Sequence, residues 1–308
     1  MRTSRVADPD CSIAQALAVV GDWWTLLVVR DIAGGTCHFD ALRESLGISR
    51  KVLSERLVTL VADGVLEKRL YHPHPPRYSY HLTAAGQGLL PVLVALQDWG
   101  GRYVMGDGAL SATSPADSAE TRRVHALVGT RLPETALAAA TSTDRAGEAE
   151  VDPVAATPWT VLYCFPGAFA PDTQGYPPGW GDIPGAAGCT LESCAYRDRL
   201  PEFEERGARV YGVSTQRPDQ LAAFAEHARI QFPLLSDAEL RLTTSLRLPT
   251  FRAAGTDRLK RLTLLLDAER TVRGVLYPVQ DPAGSVADAL SLLDEVAAST
   301  DTPTVRSR

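Results

Sequence analysis

From Cys11 to Met105 the apolar positions recur mostly at helical spacing. The pattern predicts helices over Ile13–Val20 and Trp24–Ile32, then a third over Phe39–Leu46 that stops at Gly47. Ser49 is placed as the N-cap of a fourth helix. In that helix Leu53, Leu57, Leu60 and Val61 form one buried stripe, which turns Lys51, Ser54, Glu55 and Val58 to the opposite side. After Gly64 the run VLEKRLYH alternates, pauses at Pro73, Pro75 and Pro76, and resumes as RYSYHLT, which predicts a two-stranded hairpin. A last helix over Ala84–Tyr103 carries Leu89, Val92, Leu93, Leu96 and Trp99 on one side.

The pattern changes at Gly106–Thr121, which is small, polar and without periodicity. Beyond it, WTVLYCF (159–165), ARVYGVS (208–214), RLTLLLD (261–267) and TVRGVLYPV (271–279) are apolar or β-branched runs bounded by turn residues. Helical patterns over Leu191–Glu205, Pro218–Ala228 and Ser285–Ala297 alternate with them, predicting an α/β domain. Thr141–Thr157 reads as a loop within it. The expected organisation is an α+β winged helix-turn-helix domain (1–105), a linker (106–123), an α/β domain (124–300) and a frayed tail (301–308).

Composition sets bounds on partners and compartment. Hydrophobic content of 45% and charged content of 22% are those of a globular protein. The net charge of -6 is unevenly spread: residues 1–110 hold eleven basic and eleven acidic groups, so the excess acid lies in the second half. Residues 50–77 hold six basic and three acidic groups, a local positive balance. The polar N-terminus and the lack of a long apolar stretch predict a cytoplasmic protein with no membrane partner. Five cysteines do not make a disulfide framework, and a closely spaced pair in a reducing compartment points to redox chemistry.

The fourth helix has a polar outer face with a basic start, as a helix that reads DNA needs. Ser49, Arg50 and Lys51, with Ser54 a turn later, are the expected groove contacts, because Arg and Lys donate to guanine and a helix N-terminus favours phosphate. Arg69, His72, His74 and Arg77 cluster at the hairpin tip, where contacts supply affinity rather than sequence choice. The bland alternatives are a solvated helix face and, for HPHPP, a loop without metal. From CSIAQALAVVGDWW through LQDWG, residues 10–104 resemble the HxlR-type winged-helix regulators. The resemblance implies a homodimeric transcription factor on double-stranded operator DNA, in some members with a redox-sensing thiol at the position of Cys11. A capping or buried role for Cys11 stays equally open, and Cys37 and Cys164 are expected to be structural.

The segment GCTLESCAYRD carries the second site. Gly188 and Cys189 follow a Gly/Pro-rich loop and open a helix, whose positive end is expected to lower the thiol pKa of Cys189. Cys194 lies five residues on, so an intact helix separates the two Cα atoms by roughly 8.6 Å. That exceeds the roughly 7 Å limit for a disulfide, and the pair closes only if the first turn unwinds. The surroundings, with LVGTRLP, VLYCFPG, FPLLSD, LRLPTF and KRLTLLLD, resemble peroxiredoxins of the bacterioferritin-comigratory type. This implies a thioredoxin fold, Cys189 as peroxidatic and Cys194 as resolving cysteine, and Arg261 as the arginine that polarises peroxide, with no cofactor and no metal. Two features depart from that family: Ala186 stands where a Thr or Ser hydroxyl is usual, and Pro166 is 23 residues before Cys189 instead of seven. Three functions follow as expectations: a regulator switched by Cys189/Cys194 oxidation with thioredoxin-like reductants; a thiol peroxidase carrying a DNA-binding domain; or a sensor of a small electrophile or sulfur metabolite that uses the aromatic loop of Phe169, Tyr176 and Trp180.

Overall fold

A computed structural model describes residues 10–141, 150–171 and 175–300, and the chain divides into two compact units, Met1–Leu93 and Val94–Arg308. The first unit holds α1 (Ser12–Val20), α2 (Trp23–Ala33), α3 (Phe39–Leu46), α4 (Arg50–Ala62), β1 (Leu66–Pro73), β2 (Pro76–Leu82) and α5 (Ala84–Gln87). Its core joins Val28, Val29 and Ile32 of α2 to Leu42, then to the α4 stripe Leu53, Leu57 and Leu60, and to Leu66 on the hairpin. Gly47 closes α3 at φ 63, the left-handed conformation that lets the chain reverse into the Ser49 cap. The strands pair antiparallel from Leu66↔Leu82 to Pro73↔Pro76.

The single helix expected over 84–103 is instead three pieces: α5, α6 (Leu90–Trp99) and a π-helical turn over Gly100–Val104. The first break falls at Gly88, the C-cap of α5, and α5 packs close to the start of β1, since a Cβ at Gly86 would lie 2.3 Å from the Val65 carbonyl oxygen. Among the described residues no single helix is long and apolar enough to cross a membrane.

The second unit contains α7 (Ala119–His125), β3 (Leu137–Ala140), β4 (Glu150–Val151), β5 (Trp159–Cys164), α8 (Cys189–Asp198), α9 (Leu200–Glu205), β6 (Ala208–Ser214) and α10 (Pro218–Ala228). It continues with β7 (Leu234–Ser236), α11 (Arg241–Ser245), β8 (Thr250–Ala253), β9 (Thr256–Leu259), β10 (Leu262–Asp267), β11 (Val272–Leu276) and α12 (Ser285–Thr300). The main sheet runs β11-β10-β5-β6-β7-β3-β4, with β5, β6 and β7 parallel and β10 antiparallel to both its neighbours. Both faces are covered, which is why WTVLYCF is continuously apolar rather than alternating. Val161, Tyr163 and Phe165 pack on one face with Tyr196, Phe224 and Leu290 from α8, α10 and α12. Leu162 and Cys164 pack on the other with Val124 of α7 and Leu242 of α11.

Two expectations change here. The helix predicted over 191–205 breaks at Arg199, where Pro201 starts a new helix, because proline is tolerated only in the first turn. The stretch 106–123 is packed rather than free: Ala112 is buried, its N–H donates to the Pro184 carbonyl at 2.8 Å, and Ser118 caps α7 through the Thr121 N–H at 3.0 Å. The expected 301–308 tail, and 142–149 of the expected loop, lie outside the described residues.

Candidate functional site

The thiol site is built where the carboxyl end of β5 feeds a long loop into α8, the edge at which open α/β sheets place their chemistry. Cys189 is the first residue of α8, and Gly188 before it holds φ 100, a conformation that favours glycine. A Cβ at Gly188 would lie 2.6 Å from Pro282 Cγ, so glycine is required there on two counts. Stacking of Tyr163 on Tyr196 at 4.3 Å, and donation from the Tyr163 hydroxyl to Ser193 Oγ at 3.0 Å, hold α8 on the sheet.

Cys189 is 1% exposed, and Arg261, just before β10, is 2% exposed. Arg261 Nη2 donates to Cys189 Sγ at 3.4 Å and to the Ala187 carbonyl at 3.0 Å, while Nη1 pairs with Glu192. The thiol itself donates to the Ala186 carbonyl at 3.5 Å. Glu192, one helical turn after Cys189 and fully buried, also receives the Ser285 hydroxyl at 3.4 Å. Burial pushes its carboxyl up to about 7 against the pull of Arg261. Sequence reasoning missed Glu192, although a carboxylate three residues after a candidate nucleophile lies on the same helical face.

One expectation is reversed. The Cys189 thiol is not lowered overall: burial pushes it up, and Arg261 and the Gly167 N–H offset this only in part. The physical reason is enclosure, since a thiolate without water depends wholly on fixed donors. Cys194 is half-buried and shares the unbroken helix α8 with Cys189, and both are free thiols. Glu192 N–H donates to the Gly188 carbonyl at 3.0 Å, so the turn that separates the sulfurs is wound.

In the first unit, Ser49 caps α4 by accepting from the Val52 N–H at 3.3 Å, and Ser49, Arg50, Lys51 and Ser54 are all exposed. Arg50 lies over the Phe39 ring at 5.3 Å and reaches Asp40 at 3.3 Å. On the hairpin Arg77 is exposed, while Arg69 is exposed but tied to Glu67 at 2.8 Å. Cys11 is the half-buried N-cap residue of α1 and makes no side-chain cap bond.

Comparison with known proteins accounts for both units. Residues 19–107 match the HxlR-like helix-turn-helix model, and residues 184–275 match the AhpC/TSA family model. The HTH-type transcriptional regulator YdeP of Bacillus subtilis (strain 168) is 30% identical over 94 residues, which cover 30% of this chain and 73% of that one. The chain belongs to the HxlR-like helix-turn-helix family. In its C-terminal half it also carries an AhpC/TSA, peroxiredoxin-like domain of thioredoxin-like fold.

An HTH-type regulator of Mycobacterium tuberculosis (strain ATCC 25618 / H37Rv) is 41% identical over 93 residues, 30% of this HxlR-like chain. The match spans 59% of that regulator's length. Peroxiredoxin Bcp of Escherichia coli (strain K12) is 32% identical over 91 residues, 29% of this chain and 58% of its own. The crystal structure of peroxidoxin BcpB from Mycobacterium tuberculosis covers 55% of this chain and 96% of its own at 26% identity, with a TM-score of 0.43. The matched AhpC/TSA segment contains Cys189, Cys194 and Arg261, and the HxlR-like segment contains α4 and the hairpin.

Proposed function

We propose that this HxlR-like chain is a redox-responsive transcriptional regulator of the cytoplasm. It binds operator DNA through α4 and the hairpin, and oxidation of Cys189 is its signal. The observation that carries the reading is the donation of Arg261 to the Cys189 sulfur at 3.4 Å, in a domain fused to a helix-turn-helix unit. The Cys189 thiol gives up its proton and attacks one peroxide oxygen as the thiolate, the O–O bond breaks, and the second oxygen takes that proton and leaves as water or alcohol. The Cys194 thiol then displaces water from the sulfenic acid, giving a disulfide; two thiols have lost two electrons to one peroxide. Because α8 is wound across both residues, that disulfide requires its first turn to open, which couples oxidation to a change of shape.

Homodimerisation is part of the reading. Val92, Leu96 and Trp99 recur at one face of α6 and are exposed, and paired half-sites call for a two-fold assembly. The test is operator affinity before and after one equivalent of peroxide, in wild type and Cys189→Ser. The expected change occurs in wild type alone; equal affinity in all four samples overturns the proposal. A second reading, thiol peroxidase, draws on the same arginine contact, while Ala186, whose carbonyl accepts from the thiol, has no hydroxyl of its own to offer the sulfur. Repeated peroxide turnover with a dithiol reductant, absent in Cys189→Ser, supports it, and a single turnover counts against it.

A further inference from the structure

A second arginine stands near the thiol site in a different condition from Arg261. Arg258, on β9, is 6% exposed. Its Nη1 donates to the Pro166 carbonyl at 3.3 Å, and its guanidinium lies over Phe169 at 5.7 Å and Trp180 at 5.0 Å. Its Nε is buried without a hydrogen-bond partner, and among the described residues no carboxylate makes an ion pair with it. Arg261 also has a buried Nε without a partner, but its guanidinium is paired with Glu192 and donates to the Ala187 carbonyl and Cys189. A buried cation with no anion is costly, and leaving one of its donors unsatisfied adds to that cost.

Arg258 lines a cavity of about 460 Å³ together with Phe169, Tyr176, Thr215, Gln216 and Gln220. That volume falls in the range of small-molecule sites, about 300–1,000 Å³. The walls set the rings of Phe169 and Tyr176, which meet edge to face at 4.9 Å, beside the polar side chains of Thr215, Gln216, Gln220 and a second cation, Arg217. Gln216 braces the floor: it accepts from the Ala168 N–H at 2.8 Å and donates back to the Ala168 carbonyl at 2.9 Å. A planar guanidinium matches a carboxylate fork, and the screened surroundings strengthen that pairing.

We propose that this cavity is a binding site for a small carboxylate-bearing organic molecule, with the carboxylate on Arg258 and the apolar part against Phe169 and Tyr176. The proposal goes beyond the redox reading and does not require it. The test is calorimetric titration of the full chain carrying Cys189→Ser, with benzoate and octanoate as probes and benzamide and octanamide as uncharged counterparts. The expected result is saturable binding of at least one carboxylate, at least about ten-fold tighter than its amide, since an uncharged group forfeits the charge-assisted bonds. Arg258→Met is expected to weaken binding by at least about ten-fold. Should that variant melt early, Tyr176→Ala, which alters a partly exposed wall, must still weaken binding of the same probe. Equal affinity for acid and amide, no saturation by either carboxylate, or full binding by a folded Arg258→Met chain overturns the proposal. Because Cys189 is absent from the Cys189→Ser chain, the outcome is independent of whether peroxide switches the regulator through it.

Discussion

Leu191 offers a direct measure of the coupling between the α8 turn and the disulfide. It lies between the two sulfurs in sequence, on the first turn of α8, and is 66% exposed, so replacing it removes little packing. Leu191→Gly disfavours the wound helix by about 0.8 kcal/mol. If the Cys189 to Cys194 bond forms only from the unwound segment, the variant has less helix to undo, and its disulfide equilibrium constant rises roughly four-fold. On a two-electron couple this is about 17 mV toward more negative potential. The assay is equilibration in glutathione redox buffers, acid quench, alkylation of remaining thiols and mass measurement of the 189–194 peptide. Leu191→Ala serves as the control, because it removes the same exposed side chain while keeping a strong helix former. Identical constants for wild type and Leu191→Gly, or a shift toward the dithiol, would refute mechanical coupling between the turn and the bond.

Glu192 predicts a pH dependence of stability. In the folded chain its carboxyl holds a proton up to about 7, whereas an ordinary carboxyl releases it near 4.5. Between those values the folded state binds more protons, so stability falls as pH rises, on the order of 3 kcal/mol for the whole span. Glu192→Gln is expected to lose this contribution, seen as a smaller difference between urea midpoints at pH 4.5 and 7.5 than in wild type. For DNA, Arg50→Ala and Arg77→Ala are each expected to lower affinity and to reduce the slope of log K against log salt by about 0.9 for every phosphate contact removed, with melting unchanged. Cys164, buried on β5 with its thiol pushed well above the ordinary range by enclosure, is expected to resist iodoacetamide in the native protein while the half-buried Cys194 is labelled.

Much of the architecture was legible where one physical signal dominated. The run WTVLYCF lies between two covered faces, so a six-residue strand follows from apolar content alone. Ser49 and Gly47 fix the start of α4 and the end of α3 through cap and left-handed geometry. Elements without such signals escaped. β3 is Leu-Ala-Ala-Ala, whose alanines lack strand preference and are set in the sheet by pairing with β7. The β8-β9 hairpin turns at Ala254 and Gly255, both at positive φ, yet only the glycine advertises it. At the thiol site, Cys189 and Arg261 were legible from spacing and resemblance. The net rise of the Cys189 pKa was not, because it depends on how completely tertiary packing excludes water. Arg258 carried no local signal either, since its condition arises from Pro166, Phe169 and Trp180, which are distant in sequence.

Arg261 is one fixed cation facing two acids, the thiol of Cys189 and the carboxyl of Glu192, in a space that excludes water. Such an enclosure tolerates little uncompensated charge, so the two acids compete for the guanidinium that both contact. On the proposed redox reading, a sulfur tied up in a neutral bond would leave the guanidinium to Glu192 alone. Chemistry at the sulfur is therefore felt at the Glu192 carboxyl through the guanidinium that the two share.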